Sequence, residues 1–364
     1  MMRQKAKISR GTAQVTAPQH GPRPLPLFLD ILRSETAAEP GRLAAAMAGL
    51  AAYQQAPRPA PPPAMPVLAT AGRATLRYYG GRGRLVVFVP SLINPPAILD
   101  LGEASLVRWM AAQGFRVALV DWGAPGPADR DMDMTDHIES LLIPLIEQLD
   151  APPVLVGYCL GGTMALAAAC ATPVAGLATL AAPWRFAGYA AGAGAMHDMW
   201  AAAKPTCEAL GVMPMEVLQA GFWRLDPART VAKYEAFGRL DPASDAARSF
   251  VRLEDWANAG EPLALAAARD LYERFIADDL PGTGGWRIRG LPTGPERLAC
   301  PAVEFVSATD RIVPAATAAG LADRRDLSLG HVGMIVGGRA QAMLWQPLAH
   351  WIASLPPGTA ISKE

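Results

Sequence analysis

Charge is scarce in this chain. Asp, Glu, Lys and Arg make up 18% of its 364 residues, against roughly 25% in an ordinary soluble domain. The 33 basic residues equal the 33 acidic ones, so no excess of either sign points to nucleic acid or to an anionic membrane as a partner. Cysteine is scarcer still. Cys159, Cys170, Cys207 and Cys300 form no C-x-x-C pair and no dense disulfide framework, and are expected as reduced thiols. The basic start "MMRQKAKISRG" runs into "TAQVTAPQHGPRP", where a signal peptide needs an apolar run. The expectation is a cytoplasmic protein.

Ala151 to Trp184 contains no Asp, Glu, Lys, Arg or His, but it does not read as a transmembrane segment. Gly157, Gly161, Gly162 and Pro173 divide it into pieces too short to span a bilayer. Strand, turn, helix and strand is the physical alternative, with strands apolar throughout because helices cover both faces.

What is present supports that reading. "LVVFVP" (Leu85 to Pro90), "RVALVD" (Arg116 to Asp121), "PVLVG" (Pro153 to Gly157), "VAGLATL" (Val174 to Leu180) and "AVEFV" (Ala302 to Val306) are short apolar strands. Helical stretches, Gly102 to Gln113, Asp136 to Leu149 and Leu160 to Cys170, separate the first four. This alternation predicts an α/β fold, a mostly parallel sheet with helices on both faces. Residues 185–296 interrupt it with a segment carrying Trp200, Trp223, Trp256 and Trp286, expected as an inserted cap. The core is then 67–184 and 297–364. Residues 1–66 are expected as a disordered tail to residue 24, a short helix with Leu43, Met47 and Leu50 on its apolar face, and the stiff linker "APRPAPPPAMP".

The chemistry starts at "VLVGYCLGGT", Val154 to Thr163. G-x-nucleophile-x-G at the end of a strand marks a sharp strand-to-helix turn that exposes its central residue. Cys159 is that residue, and the N-terminus of the following helix favours its thiolate. A phosphate cradle is disfavoured, because no Lys follows Gly162-Thr163. A nucleophile in this turn takes an acid and then a histidine in chain order. Asp310 in "FVSATDRIVP" and His331 in "LSLGHVGMIVGG" stand just past expected strand ends. His20, His137, His197 and His350 fall in the tail, in helices or in the cap. The oxyanion donors are expected from the N–H of Leu160 and from the loop "PSLINPP", with Ile93 as its donor. Asp129, Asp131 and Asp133 imitate a calcium loop, but Met134 stands where glycine is required. They are expected as a solvated loop, with Asp136 and Glu139 as the capping box of the next helix, and no metal is assigned.

With the elbow, "SLINPPAILDL", "DWGAP", "TDRIVP" and "GHVGMIVGG" in this order, the chain resembles the polyhydroxyalkanoate synthase family, in particular its short class III catalytic subunit. The resemblance runs from about Leu68 to Leu355. It implies an α/β-hydrolase fold and an acyltransferase that polymerises 3-hydroxyacyl groups from CoA through a cysteine thioester. Carried over by motif, Cys159 is the nucleophile, His331 the base and Asp310 the acid. Acyl-CoA is then a substrate with no further cofactor, and polyester is the product. A second synthase subunit, self-association and the surface of a storage granule are the implied surroundings. One departure is "APWRF", where Arg185 stands in place of the family's acidic residue. "GYCLGG" also resembles the elbow of dienelactone hydrolases, so a cysteine-dependent hydrolase acting on esters, lactones or thioesters is the alternative. A non-catalytic granule protein is a third reading, against which the intact set of three residues argues.

Overall fold

The computed structural model describes residues 20–60 and 62–356; of the expected disordered tail, residues 1–19 lie outside them. Eight strands form one sheet: β1 (Val67–Ala71), β2 (Ala74–Gly80), β3 (Leu85–Val89), β4 (Arg116–Asp121), β5 (Val154–Tyr158), β6 (Gly176–Leu180), β7 (Ala302–Ser307) and β8 (Asp323–Leu327). Their order is β1-β2-β4-β3-β5-β6-β7-β8. Only β2 runs against its neighbours. Every residue of β3, β5 and β6 is buried, which explains their unbroken apolar sequences: each Val or Leu sealed there contributes about 1.5–3 kcal/mol.

Alternate residues of these strands face two separate cores. Val87, Val89, Val120 and Leu155 join one cluster; Val86, Phe88, Leu119 and Val156 join the other. The helices that cover them, in chain order with the rest, are α1 (Leu25–Glu35), α2 (Pro40–Gln55), α3 (Leu106–Ala112), α4 (134–147), α5 (Leu160–Ala169), α6 (Ala191–Leu210), α7 (Met215–Leu225), α8 (Pro227–Phe237), α9 (Asp245–Asn258), α10 (265–277) and α11 (341–354). α4 and α5 seal the first face, α3 and α11 the second. The expected α/β architecture is borne out.

Three expectations are corrected. The first concerns the N-terminal region, which holds two helices, not one, docked on the cap. Residues 20–24 belong to that docked region: Pro22 is buried, and Arg23 bonds Asn258 (3.2 Å) and Glu216 (2.7 Å). α1 buries Phe28 and Leu32, and α2 buries Ala46, Gly49, Leu50 and Tyr53, against Trp223, Val231 and Tyr234. Leu43 and Met47 are exposed, at 36% and 42%. Gly49 decides this rotation. A Cβ there would stand 1.9 Å from the carbonyl oxygen of Tyr234, so α2 presses the face that carries its glycine onto α8 and leaves Leu43 and Met47 outside.

Second, the segment 185–296 is not all cap. α10 and Trp286 are part of the first core cluster; the Asp270 carboxylate accepts from the Met134 amide at 3.1 Å and Trp286 Nε1 donates to Thr135 Oγ1 at 2.9 Å.

Third, α4 starts earlier than expected. Asp133 is its N-cap and makes a reciprocal capping box with Asp136, in place of Asp136 with Glu139. A carboxylate three residues earlier reaches the free amides of the first turn. Asp129, meanwhile, is engaged by Arg73 at 3.1 Å.

Candidate active site

β5 delivers Cys159 at the carboxyl end of the sheet, and α5 begins at the next residue. Cys159 has φ 55° and ψ −134°, a region that costs a non-glycine residue about 1–3 kcal/mol. The surroundings hold it there. A Cβ on Gly161 would lie 2.2 Å from the oxygen of Val89, and one on Gly157 would lie 2.4 Å from Cα of Gly162. Only glycines let β3, β5 and α5 approach this closely. The Cys159 N–H donates to the oxygen of Leu180 on β6 at 2.9 Å, which pins the turn to the neighbouring strand. The side chain is half-buried, while Cys207 is buried outright. Burial pushes the Cys170 and Cys207 thiols up, and Cys300 up to about 11.

Asp310 lies in the loop after β7 and His331 in the loop after β8. The two loops are tied together, the Ala308 N–H donating to Leu327 O at 2.9 Å and Ser307 Oγ bonding Leu329 O. Asp310 Oδ2 accepts from His331 Nδ1 at 2.6 Å. Its Oδ1 accepts from the amides of Ile312 (2.7 Å) and Val313 (3.0 Å). The Asp310 side chain is fully buried and that of His331 is 8% exposed. Burial opposes charge on the imidazole, yet the neighbouring Cys159 and the hydrogen bond that His331 donates to the Asp310 carboxylate outweigh it and raise the His331 pKa. The structure therefore joins Asp310 to His331 by a hydrogen bond and sets both on the wall of the cavity that Cys159, more than 150 positions earlier, also lines.

Tyr158 is a partner that the sequence reasoning missed. Its ring stacks on that of His331, with centroids 5.0 Å apart and planes 29° apart, and its hydroxyl donates to the His331 carbonyl at 3.3 Å. The one available signal was its place immediately before Cys159.

The two residues expected as oxyanion donors stand in different surroundings. Leu160 occupies the first position of α5, where an N–H has no preceding turn to accept it. Ile93 lines the same cavity, but its N–H donates to Ser91 Oγ at 3.1 Å. The amide assigned from the loop is thus engaged locally by a hydroxyl two residues back, which sequence position alone did not reveal.

The other histidines stand apart. His20, His197 and His350 are exposed. His137 is buried, with Nδ1 2.6 Å from the oxygen of Asp133 and Nε2 2.7 Å from Nη2 of Arg73. Since the guanidinium can only donate, the proton sits on Nδ1. Arg185 is exposed and its guanidinium lies beside Gly320, away from Cys159.

Cys159, Asp310 and His331 open into a cavity of about 780 Å³, roofed by α6 to α9 and including Trp223 and Trp256 from the cap. Trp256 is anchored by Nε1 donating to Pro95 O at 2.9 Å. The other two tryptophans of residues 185–296 turn inward: Trp200 stacks on Tyr272 and Trp286 packs against Phe275. Among the described residues no helix is long and apolar enough to cross a membrane.

Comparison with known proteins places this geometry. The model of the Alpha/beta hydrolase family matches residues 86–343. The poly(3-hydroxyalkanoate) polymerase subunit PhaC of Haloferax mediterranei is 27% identical over 294 residues, which cover 74% of this chain and 58% of that protein. Its counterpart from Allochromatium vinosum is 26% identical over 287 residues, covering 73% and 80%. This chain therefore spans less than two thirds of the length of the Haloferax protein. A solved hydrolase from Pseudomonas aeruginosa is 18% identical and superposes with a TM-score of 0.49, covering 77% of this chain and 93% of that one. With the strand order, the strained cysteine turn and a family match from residue 86 to residue 343, the chain belongs to the alpha/beta hydrolase family, as a relative of its poly(3-hydroxyalkanoate) polymerase subunits.

Proposed function

We propose that this protein is an acyltransferase that joins 3-hydroxyacyl groups from CoA into polyester through a thioester on Cys159. The observation that carries the reading is the Asp310–His331–Cys159 line at the floor of a capped cavity, and the polymerase names of the curated relatives support the same chemistry. His331 takes the thiol proton, and the Cys159 sulfur attacks the acyl carbonyl. Its bond to carbon forms as the carbon–sulfur bond to CoA breaks, and His331 returns the proton to the departing CoA sulfur. Asp310 orients the imidazole and balances its charge without taking the proton. The Leu160 amide stabilises the oxyanion, and such a donor contributes roughly 3 kcal/mol. Ile93 is the second donor once it turns from Ser91.

In the second half, His331 takes the proton from the hydroxyl of another acyl group, whose oxygen attacks the Cys159 thioester. An ester bond forms, the bond to sulfur breaks, and the proton returns to the thiol. Water would divert this step to free acid, and the cap bearing Trp223 and Trp256 excludes it. Acyl-CoA is the substrate and no other cofactor enters. The reading carries with it a cytoplasmic location at a polyester granule and a second synthase subunit or a second copy of this chain as partner.

The test is product identity. Given 3-hydroxyacyl-CoA, the protein releases CoA while acyl groups accumulate in oligomeric ester. If free hydroxy acid accounts for nearly all of the CoA released, with and without a partner subunit, the chain is a hydrolase.

A further inference from the structure

The glycines beside His331 leave its loop unpacked on both flanks: a Cβ on Gly330 or on Gly333 would meet nothing within 4 Å. The Asp310 carboxylate fixes one edge of the imidazole, at Nδ1. One hydrogen bond still lets the ring tilt about it, because the outer torsion of a histidine side chain is broad.

Tyr158 removes that freedom. Its ring lies against the imidazole, with centroids 5.0 Å and planes 29° apart, and its hydroxyl donates to the His331 carbonyl at 3.3 Å. The phenol thus grips the ring and the backbone of the same residue. It is itself rigid, as the last residue of β5, buried with Val156, Leu180 and Leu329 in the core that α3 and α11 cover. The next residue is Cys159. A single peptide bond therefore separates the side chain that grips His331 from the thiol, and the strained turn, with φ 55° at Cys159, fixes the step between them.

We propose that Tyr158 is a positioning residue, whose ring sets the plane of the His331 imidazole relative to the Cys159 sulfur and whose face stabilises the imidazolium formed when the thiol gives up its proton. The proposal rests on the reading that His331 takes that proton. An aromatic face attracts a cation, so the stack favours the protonated ring over the neutral one. Cys159 and Asp310 are the titratable groups that bear on the same imidazole, and the variants below leave both unaltered.

The test compares Tyr158→Phe, which keeps the stacked ring and loses the hydroxyl, with Tyr158→Met, which fills the space without a flat face. Two rates are measured on the full chain by quenched mass spectrometry: acylation of Cys159 by 3-hydroxybutyryl-CoA, and alkylation of Cys159 by iodoacetamide as a function of pH. Tyr158→Met is expected to slow acylation about thirtyfold, the scale on which a misplaced group acts. Tyr158→Phe should slow it about threefold, through the one lost hydrogen bond. In the methionine variant the alkylation profile should move up by about one pH unit, because without the aromatic face the imidazolium supports the thiolate less. The phenylalanine variant should keep the wild-type profile. Tyr158→Leu replaces the methionine variant if that one does not fold.

A non-aromatic variant acylated at the wild-type rate overturns the assignment. So does one that is slowed while its alkylation profile stays in place, which is what lost packing alone produces, and so does a phenylalanine variant as impaired as the methionine one. No acylation of the wild-type protein overturns the acyl-transfer reading instead; the alkylation profile needs no acyl-CoA and then decides on Tyr158 by itself.

Discussion

Asp310 holds His331 with one carboxylate oxygen and is itself held by the other. Oδ2 stands 2.6 Å from Nδ1 of His331, while Oδ1 accepts the amides of Ile312 and Val313. The carboxylate cannot rotate away without breaking two backbone bonds. The imidazole therefore keeps Nδ1–H toward Asp310 and leaves Nε2 free of that bond.

Cys159→Ala should form no acyl adduct on exposure to acyl-CoA, yet remain folded. The turn depends on Gly157 and Gly161, so unfolding in urea should change by no more than about 1 kcal/mol. An adduct formed at the wild-type rate would refute Cys159 as nucleophile.

His331→Ala should slow alkylation of Cys159 by iodoacetamide at pH 7 by about tenfold or more, because an unassisted thiol is only a few per cent ionised there. Asp310→Asn should slow it less, since the two amides still position the side chain. The raised His331 pKa sets the sign of the linkage: its stabilising effect is complete below the unfolded value near 6.5 and is lost as pH rises through the folded one. The His331→Ala variant should accordingly be most destabilised, relative to wild type, at the acid end of the folded range.

His137 works in the opposite direction. Burial lowers its pKa to about 4, with the charge of Arg73 adding to the shift and the Asp133 carbonyl opposing it. Unfolded chains bind this proton below about 6.5 and the native protein does not until about 4. Stability from this residue is thus intact above 6.5 and falls between 6.5 and 4, by up to roughly 3 kcal/mol. Urea midpoints at pH 7, 5.5 and 4.5 should show the decline, and His137→Gln should flatten it; an unchanged slope would refute the assignment.

Gly49→Ala should free the N-terminal helices from the cap. Its Cβ would stand 1.9 Å from the Tyr234 oxygen, backbone against backbone, and neither side can give way cheaply. Limited proteolysis between Gln55 and Val67 should accelerate several-fold. Protection equal to wild type would show that Arg58, bonded to Asp255 at 2.8 and 2.9 Å, suffices to hold the segment.

What the sequence determined by itself was whatever depends on local pattern. Continuous apolar runs specified the central strands, because a strand covered on both faces has no polar side to show. The glycines around Cys159 specified the turn, because only they permit its close contacts. The order of Cys159, Asp310 and His331 past successive strands then named the three residues that meet. The remainder belongs to tertiary structure. β8, reading "DRRDL", has no strand periodicity, since at the sheet edge its charges pair along the strand, Arg324 with Asp326 and Arg325 with Asp323. The rotation of α2 was decided by Gly49 meeting a backbone 185 residues away in sequence, and the engagement of the Ile93 amide by how its loop closes on Ser91. The stacking of Tyr158 on His331 required the end of β5 and the loop after β8, 173 residues apart in sequence, to be brought together. Local pattern encodes what a residue can do along its own segment, but only the folded chain supplies the neighbour it does it with.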